Sequence, residues 1–192
     1  MSALQRPPAR ITRAYLLRSA SRYLERWFAP RAHLRQLMMR RVRRSAAHHG
    51  DELDELEPIL DEVLDHLERL GALNDQAFAE GKAQSLIRKG LPERAIRQKL
   101  SQKGVSSELV EQQLTARRES AEDAELDAAL RYARRRRLGP WSTSAPSTDR
   151  PPRDLARMAR AGFPYSVVQR VIALSTSQEA EALLDELTAE PR

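Results

Sequence analysis

The sequence predicts an all-α protein, built as an elongated array of three tandem three-helix repeats. Apolar residues recur at helical spacing along nearly all of the 192 residues, and no segment keeps the two-residue alternation of a strand. Two joints also match, "LSQKGVSSELVEQQL" (100–114) and "MARAGFPYSVVQRVI" (158–172). Each has an apolar residue, a glycine four positions later, a helix-start signal and a paired apolar stripe. Such internal similarity is typical of stacked helical repeats.

The first repeat is predicted over 11–71, after a flexible N-terminus at 1–10. Its first helix begins near Ile11, and its second opens at Pro30, because proline suits a helix start. A third helix carries a stripe at i, i+3, i+4 and i+7 spacing. The stripe residues are Leu60, Val63, Leu64 and Leu67. The segment "SAAHHGDELDELE" (45–57) between the second and third helices indicates a polar, acidic loop.

The second repeat is predicted over 72–118. Its first helix covers 75–88, and Gly90 ends it. A second helix opens at Pro92 and runs until Gly104. A third follows with Ser106 or Ser107 as its N-cap, since a hydroxyl there accepts a hydrogen bond from an unpaired backbone N–H.

The third repeat is predicted over 119–175, with a tail helix over 176–192. Its first helix stops before "LGPW", and a Ser/Pro-rich loop follows at about 142–152. A second helix reaches Gly162, and the last one carries a valine-rich stripe up to Ile172.

Composition argues against catalysis and against a membrane protein. The chain has no cysteine, which excludes a thiolate nucleophile and a disulfide framework. No apolar run approaches the ~20 residues of a membrane span, and no signal peptide precedes the first helix. We therefore expect a cytoplasmic protein that is not an enzyme, with no membrane partner, no cofactor and no small-molecule substrate.

The metal and phosphate motifs that come closest are incomplete. His48 and His49 are adjacent, so on a helix they point in different directions, and no second ligand pair stands at i, i+4 spacing. A phosphate-binding loop before Lys82 needs a glycine where Gln76 stands. No metal site is predicted.

The segment "ERAIRQKLSQKGVSSELVEQQL" (93–114) has the two helices and the glycine-containing turn of a DNA-reading helix-turn-helix. The position of the usual small residue is Leu100, and the second helix would expose Glu108 and Glu111. Carboxylates facing a phosphate-lined groove are repelled, so packing explains this helix pair better.

Charge alternates along the chain, which has a net charge of +6. Residues 1–50 hold twelve arginines and one acidic residue, whereas 51–80 hold eleven acidic residues and one arginine. Such patches either pair within the fold or face a polyanion. The densest clusters are "RRVRR" and "RYARRRRLGPW", in which Tyr132 and Trp141 are candidates for stacking on bases. The candidate polyanion-binding residues are Arg40, Arg41, Arg43, Arg44, Arg131, Arg134, Arg135, Arg136 and Arg137.

A resemblance to a known family suggests which polyanions these arginines bind. The segments "LERLGALNDQAFAEGKAQSLIRKG", "PERAIRQKLSQKGVS" and "ARAGFPYSVVQRVI" resemble the RecX family, regulators of the bacterial recombinase RecA, over roughly 10–175. Ala72 and Asn74 depart from the family, which often has an aromatic and an acidic residue there. The resemblance implies a curved array of three-helix repeats without a catalytic centre, which binds RecA and the groove of its filament on DNA. It makes the nine arginines candidate RecA- or DNA-binding residues. Family members mostly inhibit strand exchange, ATPase and coprotease activity, and some bind DNA directly.

Another set of residues is predicted to build the joints of the fold. Gly71 is expected to end a helix in the left-handed conformation, with Asn74 or Asp75 capping the next one. The full structural set is Gly71, Leu73, Asp75, Phe78, Ala79, Ile96, Leu100, Lys103, Gly104, Gly162 and Phe163.

The leading hypothesis is a modulator that binds RecA and the RecA–DNA filament in DNA repair and the SOS response. The alternatives are a RecA-independent nucleic-acid-binding protein that uses the arginine patches, and a purely structural scaffold.

Overall fold

The computed structural model describes residues 7–120, 123–143 and 150–188 of the chain. Within these ranges every regular element is a helix, so the all-α prediction is confirmed. The α-helices are α1 (Arg13–Leu24), α2 (Arg31–His49), α3 (Leu53–Arg69), α4 (Asp75–Arg88), α5 (Glu93–Ser101), α6 (Ser107–Ser120), α7 (Ala124–Arg136), α8 (Arg150–Ala161), α9 (Tyr165–Ile172) and α10 (Ser177–Thr188). A short 3-10 helix, Gly139–Trp141, follows α7.

The helices form two compact units. The first contains the chain up to Ala79 together with Lys103–Val105, and the second contains Glu80–Gln102 together with the chain from Ser106 onward. The repeat boundaries and the elongated, curved shape stay predictions.

The first unit packs α1, α2 and α3 around one apolar core. The predicted α3 stripe is buried in full, because its residues recur on one face of the helix. From α2, every fourth residue enters the same core at Leu34, Met38 and Val42. Arg35 of α2 donates two hydrogen bonds to the Asp61 carboxylate of α3, at 2.8 and 3.1 Å, and so joins the two helices at the edge of the core.

In the second unit, α5 and α6 bury apolar faces, and α7 to α10 form a second apolar core. The buried face of α5 is Ile96 and Leu100, and its partner helix α6 buries Val110 and Leu114. Around α7 the buried side chains include Leu126, Leu130, Met158, Phe163, Val168 and Leu184. The Asp154 carboxylate of α8 is also buried, where it accepts a hydrogen bond from the Gly139 N–H at 2.9 Å.

The segment 45–57 differs from its prediction. Only residues 50–52 lie outside a helix there, because α2 continues to His49 and α3 begins at Leu53. Gly50, with φ of 74°, closes α2 in the left-handed conformation, so a three-residue turn is enough to join the helices. The predicted acidic loop over the whole segment is therefore wrong: its carboxylates belong mostly to the start of α3.

The predicted loop at about 142–152 lies only partly within the described residues. Residues 144–149 lie outside the described residues, and 150–152 already belong to α8. Two prolines stand in the first turn of that helix, where their missing N–H groups need no partner. The tail helix is present as α10, with 189–192 outside the described residues.

The joint between α3 and α4 follows the sequence prediction closely. Gly71 has φ of 70°, and its N–H donates to the Glu68 carbonyl, as in a helix ended by a left-handed glycine. Leu73 is buried beneath the turn. Asn74 is the N-cap, since its side-chain oxygen accepts from the Ala77 N–H at 2.9 Å. Of the two candidates for the cap, the structure therefore selects Asn74.

Asp75 has a different task, which the sequence did not indicate. Its carboxylate accepts a hydrogen bond from the Arg31 N–H at 2.7 Å, at the first residue of α2. That N–H has no partner within its own helix. Asp75 therefore fastens α4 to the start of α2.

The Asn74 cap supports a simple stability test. We expect Asn74→Ala to lower the free energy of unfolding by about 1 kcal/mol, because the Ala77 N–H loses its acceptor. Urea unfolding followed by circular dichroism measures the change. Asn74→Ser is the matched control, since serine is also a good N-cap, and it should keep most of the stability. Equal losses in the two variants would contradict the capping role.

Candidate polyanion-binding surfaces

The second half of α2 carries four arginines on its solvent side. Burial of one face of the helix leaves Arg40, Arg41, Arg43 and Arg44 exposed, and these four residues define the α2 surface. Within the described residues none of their guanidinium groups has an ion pair or a hydrogen bond. The cluster predicted from "RRVRR" is therefore free to bind a ligand.

The first half of α2 differs, because its arginines are neutralised inside the unit. Arg31 lies 2.7 Å from carboxylate oxygens of both Asp65 and Glu68. Arg35 hydrogen-bonds to Asp61, and these bonds are the main reason that the pKa of Asp61 lies below its usual range. The uncompensated positive charge of α2 is thus confined to its second half.

His33 lies close enough to this positive charge to respond to it. Burial lowers the pKa of the His33 imidazole first, and the charges of Lys103 and Arg40 lower it further. The imidazole ring lies beside Tyr23, with 6.3 Å between the ring centroids. The charge of Arg40 therefore acts on a side chain seven positions earlier in α2.

A cleft of about 380 Å³ runs beside the α2 surface. Its apolar lining comes from Ala9, Tyr15 and Leu37, and its basic lining comes from Arg40, Arg41 and Arg44. Arginine binds carboxylate and phosphate bidentately and also stacks on planar groups. The cleft is suited to an acidic chain that carries apolar groups, or to a strand of nucleic acid.

The arginines of α7 are mostly engaged within the second unit. Arg131 pairs with Asp127 at 2.8 Å, and Arg134 pairs with Glu181 of α10 at 3.2 Å. Arg135 donates to the backbone carbonyl of Lys89 at 2.6 Å. These three predicted binding residues therefore already have intramolecular partners, so their role toward an external ligand stays a prediction.

The remaining two arginines of the cluster are more accessible. The Arg136 guanidinium carbon lies 6.0 Å from the centroid of the Tyr132 ring, at the limit of a cation–π contact. Arg137 is exposed, closes α7 with φ of 54°, and has no side-chain partner in the part of the chain that the structure describes. Positive charge at the end of α7 is also favoured by the helix dipole.

The two aromatic residues of this segment have intramolecular contacts. Tyr132 is half-buried against Phe163, with 5.3 Å between the ring centroids. Trp141 is half-buried as well, and its indole N–H donates to the Glu181 carboxylate at 2.9 Å. Both residues help to pack the second unit, and their stacking on bases stays a prediction.

A basic pocket next to α7 includes two residues that were not predicted. Arg157 and Arg160 of α8 join Arg136 around a cavity of about 560 Å³, with Tyr132 and Leu138 in its lining. The sequence does carry a signal for them: the two arginines are three positions apart, so they share one face of α8. Arg157 also lies 4.0 Å from the buried Asp154 carboxylate, at the edge of this pocket.

The described residues contain no group of side chains arranged to hold a metal ion. The adjacent His48 and His49 rings meet edge to face at 4.7 Å, and His49 hydrogen-bonds the Pro8 carbonyl instead of converging on an ion. In the same ranges, no helix is both long and apolar enough to cross a membrane.

Comparisons of the chain with known proteins give matches to one family. A family model described as "RecX, second three-helix domain" matches residues 74–114. The chain is 40% identical to the "Regulatory protein RecX" of Myxococcus xanthus over 167 residues, which is 86% of this chain and 88% of that protein. It is 32% identical to the protein of the same name from Agrobacterium fabrum over 120 residues, which cover 60% and 59% of the two chains.

Solved structures show the same fold at lower identity. The crystal structure of RecX from Lactobacillus salivarius superposes with a TM-score of 0.64 at 18% identity, over 88% of this chain and 97% of that one. A second crystal structure, of a regulatory protein RecX, gives a TM-score of 0.61 at 19% identity, over 83% and 70%. Because the Myxococcus protein is similar over most of both sequences, and the fold agrees, the chain belongs to the RecX family.

Proposed function

We propose that this protein is a regulator that binds RecA and the RecA–DNA filament. It modulates, and mostly inhibits, recombinase, ATPase and coprotease activity in DNA repair and the SOS response. The relatives named regulatory protein RecX support this role. It works by binding in the cytoplasm, without catalysis of its own.

One structural observation carries the proposal: the four exposed arginines of the α2 surface are unpaired within the described residues. Unpaired charges of one sign repel each other, so four of them on one helix face disfavour the free protein. A polyanionic partner relieves that repulsion, and both DNA phosphates and acidic protein surfaces offer bidentate acceptors for arginine. The α2 surface is therefore the proposed contact with the filament.

The proposal predicts a loss of regulation when the α2 surface is neutralised. If each guanidinium contributes about 0.5 kcal/mol, replacing Arg40, Arg41, Arg43 and Arg44 by alanine removes about 2 kcal/mol, which is roughly 30-fold weaker binding. The DNA-dependent ATPase of RecA, titrated with wild-type and variant protein below equimolar amounts, measures this effect.

A matched control is the same four positions changed to lysine, which keeps the charge but loses the bidentate geometry. Thermal unfolding should be nearly unchanged for both variants, since exposed sites of this kind alter stability by about 0.5 kcal/mol or less each. Full inhibition by the alanine variant at wild-type concentrations would refute the assignment of the α2 surface.

Co-sedimentation distinguishes the regulator from the alternative, a nucleic-acid-binding protein that does not depend on RecA. The regulator is recovered with RecA filaments more strongly than with naked DNA, whereas the alternative gives equal recovery from both. Salt dependence alone does not separate them, because both contacts are electrostatic. A purely structural scaffold predicts no loss of binding when Arg134, Arg135, Arg136 and Arg137 are changed to alanine, whereas the regulator predicts weaker binding with the fold retained.

A further inference from the structure

Two large aromatic side chains are exposed in the connection between α1 and α2. The exposed fraction is 63% for Trp27 and 58% for Phe28. Only nine of the 192 residues are aromatic, so two adjacent exposed rings are a marked departure from the rest of the chain. Burial of an aromatic ring is one of the larger hydrophobic contributions that a side chain can make to the free energy of folding or binding. The exposed rings do not make that contribution within this chain.

The connection that carries these rings is held firmly to the first unit. The N–H groups of Arg26 and Trp27 both donate to the Tyr23 carbonyl, at 3.1 and 2.9 Å, which continues the turn of α1. One face of Phe28 rests on Phe78 of α4, with 5.5 Å between the centroids. The next residue, Ala29, is buried. Trp27 is thus presented outward from a fixed backbone.

A row of three arginines precedes Trp27, two on α1 and one in the turn that follows it. Arg18 and Arg22 are four positions apart, so they share a face of α1 about 6 Å apart along its axis, and Arg26 comes four positions later, in the turn where its N–H donates to the Tyr23 carbonyl. All three are exposed, and within the described ranges none of them has an ion pair or a hydrogen bond through its side chain. One exposed carboxylate, Glu25, lies beside the row.

We infer that Trp27 and this arginine row form a binding site for single-stranded nucleic acid. A base stacks on the exposed indole, and the guanidinium groups bind the phosphates on one side of that base. The occupant is single-stranded for two reasons. The base faces of a duplex are already covered by stacking, and the phosphates along each strand of a duplex are fixed at a spacing of roughly 3.4 Å along the axis. An unstacked strand can extend to the wider spacing of the arginines.

This site differs from the α2 surface, which was assigned from arginine clusters alone. It contains none of the nine predicted arginines, and it combines charge with an exposed aromatic ring, whereas Tyr132 and Trp141 are half-buried. The assignment stands on the geometry of α1, and only its biological setting rests on the proposed function.

Fluorescence tests the site directly. In a Trp141→Phe background, Trp27 is the sole tryptophan, so its emission reports on stacking. Emission should be quenched by a short oligo(dT) or oligo(rU), and the ratio of the two affinities identifies DNA or RNA as the source. A matching duplex should quench little. Absence of quenching by both single strands, or equal quenching by the duplex, overturns the inference.

Binding measured by anisotropy of a labelled oligo(dT) gives a second readout in the natural background. Trp27→Ala should weaken binding by about 5- to 150-fold, the change expected for the loss of one base–aromatic stack, and Trp27→Phe should recover part of it. Tyr165→Ala is the matched control, because Tyr165 is an exposed aromatic at 59% on another helix, and it should bind normally. Equal effects of the two alanine variants would refute the site.

The arginine row has its own signature. Changing Arg18, Arg22 and Arg26 to alanine should reduce the slope of log affinity against log salt by about 2, because each phosphate contact on a single strand contributes roughly 0.7. Glu25→Gln should tighten binding. An unchanged slope in the triple variant overturns the role of the row.

Failure of this inference and failure of the proposed function are distinguishable. A protein that inhibits the RecA ATPase but leaves oligo(dT) unbound keeps the function and loses the site. A protein that binds oligo(dT) through Trp27 without any effect on RecA keeps the site and loses the function. If Trp27→Ala changes only the oligomeric state, the ring contacts a second copy of the chain and the inference is wrong.

Discussion

Gly104→Ala should destabilise the first unit strongly. Gly104 has φ of +85°, a conformation that costs an L-residue about 1–2 kcal/mol. An added Cβ would also lie 2.7 Å from the Cβ of Ala32 at the start of α2. Such overpacking costs about 1–3 kcal/mol more. The expected loss in the free energy of unfolding is therefore about 2–5 kcal/mol, measured by urea unfolding of the whole chain followed by circular dichroism.

Two other glycines separate backbone strain from the clash. Gly50 and Gly71 have φ of +74° and +70°, but a Cβ added at either meets no atom within 4 Å. Gly50→Ala and Gly71→Ala should each lose only the conformational part, about 1–2 kcal/mol. A Gly104→Ala protein that is no less stable than these two would show that the turn does not pack against Ala32.

These glycines also show how far the sequence determines the fold. A glycine after a periodic apolar segment predicts a helix end, and the joints at Gly71, Gly90, Gly104 and Gly162 all have the left-handed φ that this requires. The contact of Gly104 with Ala32 joins residues 72 positions apart, and no local pattern encodes it. The sequence therefore predicts the backbone conformation at these glycines, but it does not predict that Gly104 packs against Ala32.

The same limit applies to the misread loop. The segment 45–57 is polar, and polarity favours loops only by correlation. In the structure its carboxylates face solvent from the start of α3, where the helix dipole stabilises them. Only Gly50 marked the true break between the helices.

The candidate binding residues show a second limit. The sequence identified the arginine clusters, but it did not separate paired from unpaired side chains. Arg134 and Arg135 find partners 47 and 46 positions away, at Glu181 and Lys89. Arg40 to Arg44 find none among the described residues. Whether an arginine is paired depends on tertiary contacts, so two similar arginine clusters in the sequence differ in their ion pairing in the structure.

Arg117 is the clearest case of a residue whose role only the tertiary structure reveals. In the sequence it belongs to a charged helix end, yet it is 5% exposed. Its guanidinium donates to the carbonyls of Leu91 and Ala124, at 3.4 and 2.8 Å, and lies 3.3 Å from a Glu125 carboxylate oxygen. Glu125 in turn accepts from the Glu93 N–H at 3.2 Å. Arg117 therefore ties α6 to the segments before α5 and α7.

Arg117→Met should consequently be among the most destabilising single changes in the second unit. Methionine fills much of the volume, but it leaves two carbonyls without their donor and Glu125 without its counter-charge. Removing one partner of a buried ion pair costs about 3–5 kcal/mol. The free energy of unfolding, from urea titrations of the whole chain, measures the loss. Arg118→Met is the matched control: Arg118 pairs with Glu93 at 3.0 Å on the exposed surface, where solvent screens the pair, so its replacement should cost far less stability.

The pH dependence of this loss tests whether the charge of Glu125 causes it. Burial raises the pKa of the Glu125 carboxyl, while Arg117 and the Glu93 N–H act to lower it. A carboxyl with a raised pKa in the folded state stabilises the protein at low pH, and this contribution is lost as pH rises through that pKa. Without Arg117 the pKa of Glu125 rises further, so the stability that Arg117→Met loses relative to wild type should be largest at neutral pH and shrink in mild acid.

The double variant Arg117→Met/Glu125→Gln should regain about 1–2 kcal/mol of unfolding free energy at neutral pH, since no buried charge remains. A deficit that is independent of pH and that Glu125→Gln does not relieve would mean that Arg117 stabilises the unit through the two carbonyls alone.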